Sequence, residues 1–345
     1  MKKSLIALAV LASSGAAMAQ SSVTLFGIVD TGIGYVNKAN AAGDSKYGVY
    51  TSGNYTSRIG FRGVEDLGGG LKAGFWLEGE IFGDDGNSAG FNFKRRSTVS
   101  LSGGFGEVRL GRDLTPGYTK TSSYDLFNQT GIGQFMGWSN WYGTAGDANG
   151  IRSSNMISYY TPNMGGFNAA IGYGFDEQTS GHAGRYMGGY VAYDNGPLSV
   201  AVSYDDRDTV AANRDRNALT IGASYNLNVV KLNGIVQQTK DKRDGLSNQK
   251  VNAYMLGASA PVGAGEVKIQ YALYDQKAFD DGKSHQLSLG YVYNLSKRTA
   301  VYGNVSYLKN KDGANLGLAS KQLNTDGPGA GKAQTGLQVG IRHSF

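Results

Sequence analysis

Apolar and polar residues alternate along most of this chain, in short runs that end at Gly, Asn, Asp or Pro. The last run is the plainest. From Leu337 to Phe345 the odd positions are Leu, Val, Ile, His and Phe, and the even positions are Gln, Gly, Arg and Ser. Successive side chains of a strand point to opposite faces, so this segment has one apolar face and one polar face that carries an arginine. About sixteen such runs read as strands. They are 23–35, 58–65, 71–82, 93–102, 106–112, 155–161, 167–174, 186–193, 198–205, 218–225, 229–239, 251–260, 266–274, 284–293, 299–308 and 333–345.

The connections between them alternate in length. Short turns centre near residues 68, 104, 164, 196, 227, 263 and 296. Long polar loops cover 36–57, 83–92, 113–154, 175–185, 206–217, 240–250, 275–283 and 309–332. An even strand number with tight turns on one side and long loops on the other is the pattern of an all-β, sixteen-stranded antiparallel transmembrane β-barrel. In such a barrel the apolar face of each strand meets lipid and the polar face meets an aqueous interior. Tyr159, Phe167, Tyr173, Tyr193, Tyr204, Tyr225, Tyr271, Tyr291 and Tyr293 fall near strand ends, where amphipathic rings suit the headgroup level.

Composition agrees. Gly (53) and Tyr (22) are abundant and Pro (5) is scarce among 345 residues, a balance that suits strands and tight turns over helices. The mean hydropathy is below zero, as expected when only every second strand residue faces lipid. Met1-Lys2-Lys3, the apolar run Leu5–Leu11 and Ala17-Met18-Ala19 read as an export signal over 1–19, leaving a barrel domain over 20–345. There is no cysteine, which excludes disulfides, cysteine-based zinc sites and thiol nucleophiles.

A barrel of this size leaves an aqueous channel unless something fills it. The filler is expected in the longest loop, 113–154, which is rich in aromatics (Tyr118, Tyr124, Phe127, Phe135, Trp138, Trp141 and Tyr142). A long aromatic loop is not a disordered one, and it is expected to fold inward and constrict the pore; an outward cap is the alternative. Strand parity sends Arg58, Arg62, Lys72, Arg109, Lys231, Lys268 and Arg342 into the lumen, with Asp30, Glu78, Glu80, Glu107 and Glu266 as acidic partners. The loop itself holds Asp113, Asp125 and Asp147 against Lys120 and Arg152. A narrowing lined mainly by fixed positive charge enriches anions and repels cations.

The stretch Ser57-Arg58-Ile59-Gly60-Phe61-Arg62-Gly63-Val64-Glu65-Asp66-Leu67-Gly68-Gly69-Gly70-Leu71-Lys72-Ala73 resembles the signature of the Gram-negative trimeric porins of betaproteobacterial type. So do Ser100–Gly106 with Leu110-Gly111-Arg112, Ser296–Tyr302 and the ending Gly340-Ile341-Arg342-His343-Ser344-Phe345. The resemblance implies a homotrimer of sixteen-stranded barrels, each with its third loop in the pore. It also implies an arginine cluster on the wall facing that loop, carried here by Arg58, Arg95 and Arg152, with Asp125 on the loop's acidic side. Parity counted back from Val99 and Leu101 conflicts on one member: it puts Lys94 and Arg96 inside and Arg95 outside. Terminal aromatics such as Phe345 resemble the signal read by the outer-membrane assembly machinery.

The expected function is passive diffusion of small hydrophilic anions such as organic acids, phosphate and chloride, in contact with outer-membrane lipid and lipopolysaccharide. A weakly selective or sugar-preferring channel doubling as a surface receptor or adhesin is the alternative, and inward Trp76 with the loop aromatics would be its sugar track. Catalysis is not expected. The histidines are His182, His285 and His343, and no Gly-x-Ser-x-Gly is present. Nucleic acid is not an expected partner, since the basic run Lys94-Arg95-Arg96 is short and lies in a strand. No cofactor is expected beyond calcium bridging loop carboxylates such as Asp84-Asp85 and Asp280-Asp281.

Overall fold

The computed structural model describes residues 22–86, 92–138, 151–208, 214–243, 249–277, 282–318, 323 and 325–345. The proposed export signal, Trp141, Tyr142, Asp147, Asp280 and Asp281 lie outside them.

The chain forms a closed antiparallel barrel. Its first seven strands are β1 (Ser22–Val36), β2 (Lys46–Thr51), β3 (Arg58–Gly68), β4 (Leu71–Glu80), β5 (Arg96–Gly103), β6 (Gly106–Leu114) and β7 (Arg152–Tyr160). The remainder are β8 (Phe167–Gly174), β9 (Tyr186–Asn195), β10 (Leu198–Asp208), β11 (Arg214–Asn226), β12 (Lys231–Arg243), β13 (Gln249–Val262), β14 (Gly265–Gln276), β15 (Gly282–Asn294), β16 (Thr299–Lys311) and β17 (Ala333–Ser344). From β3 onward each strand pairs with its sequence neighbours, and β17 returns to β1 with Thr31 opposite Ile341 and Tyr35 opposite Leu337. Among the described residues every strand of the wall is paired on both sides, the condition for a sheet to stand in a bilayer.

Sixteen strands build the wall, and β2 is an extra one that the alternation missed. It lies inside the expected loop 36–57 and pairs with the upper half of β1, whereas β3 pairs with the lower half. Between them residues 52–57 turn inward around Asp30. The Asp30 carboxylate accepts N–H groups from Gly53, Asn54 and Tyr55 at 3.2, 2.9 and 2.7 Å and the Tyr302 hydroxyl at 2.5 Å. Asp30 is therefore an anchor for this excursion and not an arginine partner. Several strands also run past their expected ends. Loops 206–217 and 240–250 shrink because β10 reaches Asp208, β11 begins at Arg214, β12 reaches Arg243 and β13 begins at Gln249. Above the membrane both faces of a ladder meet water, so backbone pairing continues where alternation stops.

The expected faces are present. Leu25, Val29, Ile33, Val191, Leu256, Leu289, Leu337, Val339 and Ile341 stand exposed on the outside. Buried Gln237, Gln270, Gln286, Ser288, Ser306 and Gln338 fill the inside. An exposed apolar surface of this extent marks contact with lipid.

Candidate functional site

The loop after β6 enters the barrel. Pro116 starts a short helix, α1 (Pro116–Thr121), whose first position tolerates the missing N–H. A 3-10 turn, Ser122–Tyr124, follows. α1 packs against β8, β9, β10 and β11, and the chain then runs along the inner wall toward β17. Polar wall side chains satisfy its backbone. Leu126 N–H donates to Gln270 at 3.2 Å, Ile132 N–H to Gln338 at 3.0 Å and Met136 N–H to the Tyr274 hydroxyl at 2.9 Å. Lys268 donates to the Leu126 carbonyl at 3.0 Å. Lys120 is held by both oxygens of Asp194 at 2.7 Å.

Apolar contacts complete the docking. Tyr118, Phe135 and Trp138 form edge-on ring pairs, and Phe135 stacks on Tyr274. Three wall glycines make room for the four-residue stretch 124–127. A Cβ on Gly222 would lie 2.2 Å from the Tyr124 ring, one on Gly257 2.6 Å from Leu126, and one on Gly290 2.8 Å from the Phe127 ring. The described loop aromatics, Tyr118, Tyr124, Phe127, Phe135 and Trp138, are thus buried between loop and wall and form no track along the lumen. Trp76 is also covered: Arg62 and Arg96 lie 5.1 and 4.5 Å from its ring, and Phe26 meets it edge-on at 5.0 Å.

Asp125 sits inside the loop. One oxygen accepts the Gln129 N–H at 2.7 Å and the other the Phe135 N–H at 3.1 Å. Burial holds its carboxyl above the usual carboxylate range, against the opposing pull of those N–H groups and of Gln270. Asp125 therefore braces the loop and does not present a charge to the lumen. Asp113, expected in the loop, belongs to the end of β6. There it pairs with Arg109 at 2.8 Å and Arg96 at 3.3 Å.

The wall not covered by the loop carries the arginines. Arg58 opens β3 and lies 3.7 Å from Glu78 of β4. Arg95 contacts the same carboxylate at 2.6 Å, and its backbone N–H donates to the Glu78 carbonyl at 3.1 Å. Arg152 opens β7, and its Nε donates to the Arg95 carbonyl at 2.8 Å. Arg207 donates to the Arg152 carbonyl at 2.7 Å and fixes that end. The parity conflict over Arg95 disappears because β5 begins at Arg96; Arg95 lies in the irregular segment before it, where alternation has no meaning. Arg95 and Arg96 both turn inward.

The other basic positions spread over the same interior. Arg62 rests on Phe26 and Trp76. Arg109 also pairs with Glu107 at 2.9 Å. Arg342 lies over Tyr55 at 4.8 Å and donates to Asn54 at 3.0 Å. Lys72 and Lys231 are exposed near the short turns. Sequence reasoning missed the excursion at 52–57 and the wall glycines of β11, β13 and β15, which come together only in the folded barrel. His285 and His343 bond outward Tyr271 and Thr299. Among the described residues no three His, Asp or Glu side chains gather as metal ligands.

A closed barrel with an apolar exterior, a polar interior and a loop folded against its inner wall defines a diffusion channel of the outer membrane. The chain belongs to the Gram-negative porin family, whose model matches residues 4–313, a family of channels and not of enzymes. It is 68% identical to "Outer membrane porin protein 32" of Delftia acidovorans, over the full length of both chains. A solved structure described as an anion-selective porin from Comamonas acidovorans is 66% identical, covers 94% of this chain and 100% of that one, and superposes with a TM-score of 0.90. A more distant structure, an outer membrane protein OmpT of Vibrio cholerae in a trimer form, shares the fold at 16% identity and a TM-score of 0.71, covering 94% of this chain and 99% of that one.

Proposed function

We propose that this outer-membrane channel prefers anions, and that Arg58, Arg95 and Arg152 form its filter. The observation that carries this is a charge imbalance. Arg58 and Arg95 share one buried carboxylate, Glu78, and Arg152 bonds the Arg95 carbonyl beside them, while the single carboxylate in the described part of the facing loop, Asp125, is used up by backbone N–H groups. A cationic patch in a narrow, low-dielectric passage concentrates anions. The anion-selective relative supports the reading. Among the described residues, the buried loop aromatics and the flanked Trp76 form no stacking track for sugars.

The expected solutes are small organic acids, phosphate and chloride. The reading extends to a homotrimer, in keeping with the trimer form of the OmpT structure, and to Phe345 as the segment that the assembly machinery reads. Reversal potentials across a planar bilayer in a KCl gradient test the filter. Anion selectivity is expected, and the double variant Arg58→Ser, Arg152→Ser should lose most of it. A cation-selective potential in the unmodified protein would overturn the proposal.

A further inference from the structure

One lumen arginine lacks the partner that the strand register offers it. Arg342 of β17 lies directly opposite Asp30 of β1. Val29 and Ile341 beside them are exposed on the outside, so both charged side chains point inward. Opposite charges at directly opposed strand positions attract and normally pair. Here they do not. Among the described residues Arg342 makes no ion pair and one hydrogen bond, to Asn54 at 3.0 Å. Its guanidinium lies over the Tyr55 ring at 4.8 Å, a contact that holds the group without neutralising it.

The excursion at 52–57 is the reason. Ser52 turns the chain with φ at +66°, a strained value for a residue other than glycine. The N–H groups of Gly53, Asn54 and Tyr55 then converge on the Asp30 carboxylate and form a backbone nest for an anion. Tyr302 donates to the oxygen that also accepts Gly53, and the Tyr50 hydroxyl holds Tyr302 in place at 3.1 Å. Asp30 is fully buried among these donors. The acid opposite Arg342 is thus occupied, while the side chains of Asn54 and Tyr55 carry the arginine. Arg58 lies close by. It pairs with Ile28 on the other side of β1, two residues from Asp30, so Arg58 and Arg342 flank that strand at nearly the same height.

We propose that the excursion 52–57 is a charge separator, which keeps Asp30 away from Arg342 and so makes Arg342 a fourth specificity-determining residue for small anions. Its backbone takes the carboxylate and its side chains present the guanidinium to the pore. A cation left uncompensated beside the arginine cluster adds to the field that draws anions in. Tyr302 is a positioning residue, since it acts on the permeating ion only through Asp30 and Arg342. The inference rests on the anion preference proposed above and adds to it a residue and a device outside the three-arginine filter.

The test measures reversal potentials of the full-length protein in planar bilayers under a KCl gradient. Arg342→Gln should lower the chloride-to-potassium permeability ratio about threefold, the effect of one unit charge roughly 7 Å from the ion path in water. Arg342→Lys, which keeps the charge, should retain most of the ratio. Tyr302→Phe changes no charge in the lumen, but it frees one Asp30 oxygen on which Arg342 then closes. This variant should therefore lower the ratio by about twofold to threefold, and combined with Arg342→Gln it should lower it no further than Arg342→Gln alone. A parental ratio in Arg342→Gln, or a ratio in Arg342→Lys as low as in Arg342→Gln, would overturn the role of the arginine charge. A parental ratio in Tyr302→Phe, or a fall of equal size with and without Arg342, would overturn the separator. The steps between variants test this inference, whereas the sign of the unmodified protein's potential tests the three-arginine filter, so the two can fail separately.

Discussion

Glu78 is where the charge of the pore is decided. It accepts Arg95 Nε at 2.6 Å and the Trp76 indole N–H at 3.1 Å, with Arg58 at 3.7 Å. Its negative charge offsets part of the cationic cluster, so Glu78→Gln should raise anion preference. A unit charge about 7 Å from a permeating ion is worth roughly 0.6 kcal/mol in water, a factor of about three in local ion concentration. The reversal potential in a KCl gradient should move further in the anion direction; no movement would mean that the pair is already neutralised by solvent. Parity alone could find Arg58 and Arg62, because each sits within a regular strand. It could not find Arg95, whose direction is set by its backbone bond to Glu78 outside any strand. Asp125 was legible as a loop acid but not as a brace, since its partners Gln129 and Phe135 are chosen by the fold of the loop.

At the level of elements, the constriction depends on fit between a loop and three glycines. Gly222→Val would push the Tyr124 ring toward the channel axis and break its 2.9 Å bond to Ser199. Overpacking of this kind costs roughly 1–3 kcal/mol, enough to shift a loop but not to open a closed barrel. Lower and noisier single-channel conductance is expected from a barrel that still resists denaturation by detergent at room temperature. Adding Tyr124→Ala should restore the conductance, and failure of that rescue would place the effect elsewhere. The inward course of the loop could be read from its length and aromatic content. Its docking surface could not, because Gly222, Gly257 and Gly290 come from strands far apart in sequence and look, one at a time, like ordinary breaks in a strand.

For the whole molecule, the barrel was legible because two solvents impose two rules. Lipid demands every second residue apolar, and closure demands that the last strand meet the first. Leu337, Val339 and Ile341 obey the first rule, and the β17 register on β1 obeys the second. β2 escaped because it is short: only Tyr47 and Val49 mark its outward face, and inward Tyr50 breaks the alternation. The seam ends at Phe345, whose backbone exchanges two hydrogen bonds of 3.0 Å with Gly27 and whose ring lies where a Gly27 side chain would be. Two roles then share one residue: the last rung of the seam and the proposed address for assembly. They predict different losses when Phe345 is deleted. The seam alone loses two partly solvated hydrogen bonds, about 1 kcal/mol each, which a closed sheet of this size tolerates. Refolded from urea into detergent, the shortened chain should therefore reach a heat-resistant barrel in nearly normal yield. In cells its level in the outer membrane should fall at least about tenfold, because a recognition signal is lost and not a structural strand. Equal losses in both settings would reduce Phe345 to a structural rung, and normal levels in cells would remove the address.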